Sequence, residues 1–175
     1  MLFYQKYPSL DLSGGYSVSR CKSWGARGMP DELEPTAREH QIQTVTLVDT
    51  AEKAWAALGS GYMINICGSI SRTMQRQKNG FCPKVGNDWD HSQRLRGRCT
   101  VKGGIRAFVY GNSWGDYLGS TNNTVELESG RTITLPPGCY LAEISDVERD
   151  LKQGDSFLYS AVKGLTPRNL SWRDW

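Results

Sequence analysis

The sequence predicts an α+β fold dominated by antiparallel strands, and three observations support this. Residues 124–127 and 132–135 alternate apolar and polar side chains cleanly, and residues 41–48 are rich in β-branched residues, both marks of strand structure. From His91 onward, glycine and proline-glycine steps punctuate the chain as in a β-meander: Gly103-Gly104, Gly130, Pro136-Pro137-Gly138. One segment, opening at Asp49-Thr50, carries a full helix signature. A chain of 175 residues holds one sizeable core, so residues 1–175 are read as a single domain.

Residues 16–24, after Gly14-Gly15, fit a short helix closed by Gly25, Gly28 and Pro30. Residues 30–35, framed by prolines, read as a loop, and residues 41–48 as a strand. Asp49 as N-cap, with Glu52 three residues on, opens a helix through Ala54, Trp55 and Leu58 that Gly59 stops. Residues 62–67 read as a buried strand, and residues 71–88, rich in Lys, Arg, Gln, Gly and Asn, as an exposed loop. A strand through Leu95, a Lys102-Gly103-Gly104 turn and a strand over 105–110 lead into Asn112-Ser113-Trp114-Gly115. The hairpin of 124–127 and 132–135 turns at 128–131. Residues 139–144 make a last short strand, and Ser145 caps a helix over 146–152 with Gly154 beyond its end.

A net charge of +3, from 21 basic and 18 acidic residues, is too balanced to indicate nucleic acid. Arg94, Arg96 and Arg98, at alternate positions with Lys102 beyond, would lie on one face of a strand, most simply a solvated one. Five cysteines (Cys21, Cys67, Cys82, Cys99, Cys139) with no CxxC pair indicate neither a zinc site nor a disulfide framework, so reduced thiols and no cofactor are expected. No apolar run approaches the roughly 20 residues needed to span a bilayer, and Met1-Leu2-Phe3-Tyr4-Gln5-Lys6 does not open a signal peptide. The expected setting on these grounds is cytoplasmic, with no membrane partner.

The chemistry-bearing feature is Asn112-Ser113-Trp114-Gly115 with Asp90-His91 upstream. An Asn amide can hold a catalytic imidazole, and an adjoining indole shields that bond from water. The plainer alternatives are a turn with a buried Trp and a structural histidine bonded to Asp90 or to backbone. His40, beside Glu39, reads as a surface residue, and Cys67, Cys99 and Cys139 as small core residues. Cys82, before Pro83, is the other thiol able to approach His91, though from a loop.

Gly14-Gly15-Tyr16, a Pro-rich loop, a helix ending in Leu58-Gly59, the strand at 62–67, Asp90-His91, Asn112-Ser113-Trp114-Gly115 and Pro137-Gly138-Cys139-Tyr140-Leu141 occur in one order. In that order the chain resembles the papain-like cysteine peptidases over roughly residues 1–160, with Leu118-Gly119 where the family usually repeats Trp-Gly. The resemblance implies a papain-like α+β fold, mainly its β-sheet or β-barrel half with a few short helices. It implies His91 as general base, Asn112 as its orienting partner and Trp114 as the shield of their bond, serving a thiolate nucleophile. In the family that Cys and an oxyanion-binding Gln precede the Gly-Gly segment on a long helix; here 13 residues precede Gly14, so the nucleophile helix is expected to be missing. Cys21, in Ser19-Arg20-Cys21-Lys22-Ser23-Trp24, has cationic neighbours that lower a thiol pKa and is the weak nucleophile candidate, although its position fits a later helix better.

The expected function is therefore a papain-like pseudoenzyme acting as a structural or interaction component of an assembly, with other protein subunits as partners. The alternative is the His91- and Asn112-bearing portion of a cysteine hydrolase, acting on a peptide with a Cys from another segment or chain. Sequences with this abbreviated second Trp-Gly and an inserted hairpin look similar to those in bacteriophage genomes, hence the virion setting. Residues 168–175 carry two Trp and two Arg, types enriched at interface hot spots, and are read as an anchor on a neighbouring subunit or as packing on the chain's own domain.

Overall fold

The computed structural model describes residues 23–24, 27–28, 30–73 and 75–163. It is a mixed α+β structure, mostly antiparallel sheet with few helices. The chain divides into two compact units, Met1–Gln41 and Ile42–Trp175.

In the first unit, Ser23 and Trp24 are helical, and the rest of the helix expected at 16–24 lies outside the described residues. The loop expected at 30–35 is instead a 3-10 turn, Asp31–Leu33, running into α1, Glu34–Glu39. Pro35 is tolerated because it falls in the first helical turn, where the missing N–H would have had no intrahelical acceptor.

The second unit is built on a six-stranded sheet in the order β1-β8-β2-β3-β4-β7. Its strands are β1 (Ile42–Leu47), β2 (Ile64–Arg72), β3 (Lys84–Val101), β4 (Ile105–Gly111), β7 (Cys139–Glu143) and β8 (Phe157–Val162). The short hairpin β5 (Thr124–Glu126) and β6 (Thr132–Thr134) forms where alternation places it. Helix α2 (Ala51–Gly59) starts one residue later than expected: Thr50 is the N-cap, its Oγ1 accepting from the Lys53 N–H at 3.3 Å, while Asp49 pairs with Lys53 Nζ at 2.6 Å. Helix α3 (Ile144–Leu151) opens at Glu143 with no side-chain cap, so Ser145 is not its cap. Strand β8, which pairs with both β1 and β2, was not anticipated at all.

The sheet separates two cores. Phe108, Tyr110, Tyr140, Ile64, Ile66 and Leu95 meet Ala54, Leu58, Val147 and Leu151 of the helices on one face. Ala107, Val101, Cys139 and Leu141 meet Val125 and Leu135 around the hairpin on the other. The alternation of Ala107 and Phe108 between the two clusters is the period-two geometry of a strand buried on both faces.

The segment 71–88 is not the exposed loop its polar composition suggested. Arg72 ends β2 and Lys84 opens β3, and they sit directly opposite one another. Asp150, fully buried on α3, accepts from Arg72, from Lys84 Nζ at 2.8 Å and from the Tyr110 hydroxyl at 2.9 Å. Asp146, one turn earlier on α3, accepts from Arg72 Nη1 and from the Lys84 N–H, both at 3.2 Å, and also pairs with Arg149. Arg76 is buried too, donating to the carbonyls of Cys139, Gly119 and Thr121 at 2.8–3.0 Å. Cations that look solvated in a sequence window become interior groups once carboxylates and carbonyls from distant elements satisfy them.

The arginines at 94, 96 and 98 do not share one face. Leu95 pairs with Tyr110 and Gly97 with Val109, leaving Arg96 as an extra residue in a β-bulge. Arg96 Nη1 therefore lies 3.5 Å from Cys139 Sγ on the hairpin side, while the Arg98 guanidinium lies 4.9 Å from the Trp55 ring on the helix side.

Candidate functional site

The β3–β4 register builds the site. Arg94 pairs with Gly111, so the next residue of β4's extension, Asn112, falls beside Gln93, and His91, two residues along the same face, falls on its diagonal. The bulge is decisive here. Beyond the turn the pairing starts at Val101 with Ile105; continued without the extra residue, it would set Asn112 against Arg94 and turn it away from the face that carries His91, Gln93 and Leu95.

His91 Nε2 lies 2.9 Å from Asn112 Oδ1. The Ser113 N–H donates to the same oxygen at 2.7 Å, and Asn112 Nδ2 donates to the Tyr117 hydroxyl at 3.3 Å. The Ser113 N–H can only donate, which identifies its partner as the amide oxygen; that oxygen can only accept, so the contact selects the Nε2-protonated imidazole and leaves the lone pair on Nδ1. Trp114 stacks on His91 with ring centroids 4.8 Å apart and meets Tyr117 edge-on at 5.5 Å. Asn112 is only 8% exposed, whereas Trp114, stacked on the ring that the amide holds, is 46% exposed. Burial raises the Tyr117 phenol above its ordinary value, with the Asn112 hydrogen bond working the other way, so it remains a neutral hydroxyl at neutral pH.

The loop after β4 is tied down by backbone as well as by Arg76. The Asn112 N–H donates to the Gly138 carbonyl at 3.2 Å, and the Gly138 N–H donates to Asp116 Oδ1 at 3.3 Å. Gly138 has φ +67°, and a Cβ there would strike the Gly115 carbonyl oxygen. A glycine at this position lets the loop close on the start of β7.

Of the expected site residues, His91, Asn112 and Trp114 come together, and Cys21 lies outside the described residues. The other four cysteines are engaged elsewhere. Cys67 pairs with Ser92, the neighbour of His91, and so faces the opposite side of the sheet, its sulfur within 3.1 Å of Asn65 Nδ2 and 3.4 Å of Ser92 Oγ. Cys139 belongs to the hairpin-side core and Cys99 packs against it, burial pushing the Cys99 thiol up to about 11. Cys82 is fully buried in the helix-side core, not in an exposed loop, and burial pushes its thiol up to about 11 against the smaller opposing effects of Thr73, Arg76 and Arg72.

Sequence reasoning missed Tyr117, Gly138 and Arg76. Tyr117 follows Asn112 by five residues within an irregular loop, where spacing carries no rule for side-chain direction. Among the described residues, no three His, Cys, Asp or Glu side chains gather as a metal site, and no helix is long and apolar enough to cross a membrane. Residues 168–175 lie outside the described residues.

Compared with known proteins, the chain matches no family model, no curated protein and no solved structure.

Proposed function

We propose that the chain is the His/Asn-bearing part of a papain-like thiol hydrolase acting on peptide or related amide bonds, with His91 as general base and Asn112 as the group that holds its ring. The observation that carries this reading is the 2.9 Å contact of His91 Nε2 with an Asn112 oxygen that also accepts from Ser113. A ring held in this way receives a thiol proton at Nδ1. The resulting thiolate attacks the carbonyl carbon, and the imidazolium returns the proton to the departing amine as the C–N bond breaks; water activated by the same nitrogen then releases the acid and the thiol. Trp114 keeps bulk water off the hydrogen bond during these steps. Within the chain Cys21 is the candidate for the thiol; a cysteine from another chain is the alternative source.

A thiolate paired with an imidazolium reacts with iodoacetamide at about pH 6, where ordinary thiols are protonated. Mapping the alkylated cysteines of the full chain should find one thiol at least about tenfold faster than the rest, and His91→Ala should abolish that advantage. Uniformly slow alkylation, with and without neighbouring subunits and indifferent to His91→Ala, would sink the hydrolase reading. In that case the second reading stands: a papain-like module without chemistry, serving in an assembly such as a virion. It is favoured by the engagement of Cys67, Cys82, Cys99 and Cys139 away from His91.

A further inference from the structure

We infer that Tyr117 is a positioning residue of this site, an inference that rests on the thiol-hydrolase reading above. Among the described residues, the Asn112 amide lies at the Nε2 edge of the His91 ring and the Trp114 indole on its face, and Tyr117 touches both. Its hydroxyl accepts the proton of Asn112 Nδ2, the amide atom pointing away from His91. Its ring meets the indole at 65°, the edge-to-face arrangement that aromatic pairs favour. The Ser113 N–H decides which way round the amide lies, because it can only donate. Tyr117 then limits the twist of that amide plane and the tilt of the indole together. Loss of the hydroxyl leaves Nδ2 of a nearly buried amide unpaired, and the amide can relieve this only by rotating toward water and out of line with His91 Nε2. Tyr117 is itself half-buried, and Leu118, the next residue, is anchored in the helix-side core, so the ring's position is set by packing independent of His91.

The test is nitrogen-15 NMR of the His91 ring in the full chain, comparing wild type with Tyr117→Phe and Asn112→Ala, with the thermal midpoint followed alongside. In the wild type Nε2 should carry the proton, in slow exchange with water. Tyr117→Phe should leave the unfolding midpoint close to wild type, speed exchange of that proton about tenfold and admit the Nδ1-protonated tautomer. Should Tyr117→Phe leave tautomer and exchange unchanged while Asn112→Ala alters both, the role given to Tyr117 is wrong and the hydrolase reading is untouched. Should neither variant alter them, Asn112 does not hold the ring and both inferences fall. Neither readout requires the nucleophile, so the alkylation experiment remains an independent judge of the hydrolase reading.

Discussion

The two polar clusters on the helix-side face of the sheet are built on opposite plans. Around Asp150, two cations and a phenol converge on a carboxylate with no exposure, and nearly every strong donor is matched by an acceptor. Around His91, among the described residues, a neutral amide meets Nε2 and an indole that is itself 46% exposed stacks on the ring. The first arrangement fixes α3 to β2, β3 and β4. The second sets a ring's orientation through a neutral amide, the kind of restraint that the proposed general-base role calls for. Paired charges hold elements of the fold together, whereas a neutral amide contact sets the orientation of a ring.

The largest effect should come from the first cluster. Asp150→Ala removes the buried carboxylate that Arg72 and Lys84 share and should cost about 3–5 kcal/mol by denaturant unfolding. A loss below about 1 kcal/mol would mean the cluster is not what holds α3 to the sheet.

Next in size is Gly138→Ala, which forces a side chain into left-handed backbone and against the Gly115 carbonyl, for about 1–3 kcal/mol. Because Gly138 receives the Asn112 N–H, this variant should also loosen the His91 contact, visible as faster exchange of the ring N–H; a destabilised protein with an unchanged ring signal would break the link drawn between that turn and the site.

A smaller, pH-dependent effect belongs to Asp146. Burial works to raise its pKa, but the Lys84 N–H, Arg149 and Arg72 outweigh it and hold the carboxyl below the ordinary 3.8. A depressed folded pKa means the contribution is fully present above the unfolded value and is lost as pH falls below about 3.8. Asp146→Asn should therefore flatten the acid limb of the stability curve without changing its shape near neutrality; an unchanged acid limb would count against the ion pairs.

Trp114→Ala should have the least effect on stability, within about 0.5 kcal/mol because the indole is half exposed, while speeding exchange of the His91 ring N–H several-fold. The reverse pattern, a large stability loss with unchanged exchange, would make the indole a core element and not a cover.

The order of elements was partly legible. Helix α2, the β5–β6 hairpin and the strands flanking Lys102-Gly103-Gly104 follow from capping, alternation and turn residues, all of which act within a few positions. Strand β8 was missed because Phe157-Leu158-Tyr159-Ser160-Ala161-Val162 has weak alternation of its own and is made a strand by pairing between β1 and β2. Arg72 and Lys84 were misread because their carboxylate partners lie 62 to 78 residues away in sequence.

By itself the sequence determined that His91 and the Asn112-Ser113-Trp114 run stand on successive strand segments joined by a short glycine turn, which brings them close in any hairpin. It could not determine that they face each other. Side chains alternate every residue along a strand, so the answer turns on whether an odd residue is inserted between turn and site, and only the long-range register, with Arg96 extruded opposite Val109, supplies it. The same bulge sends Arg98 to Trp55 and sets Asn112 beside His91, because burying Leu95 with Tyr110 on the helix side and Cys99 with Ala107 on the hairpin side requires a change of phase between them.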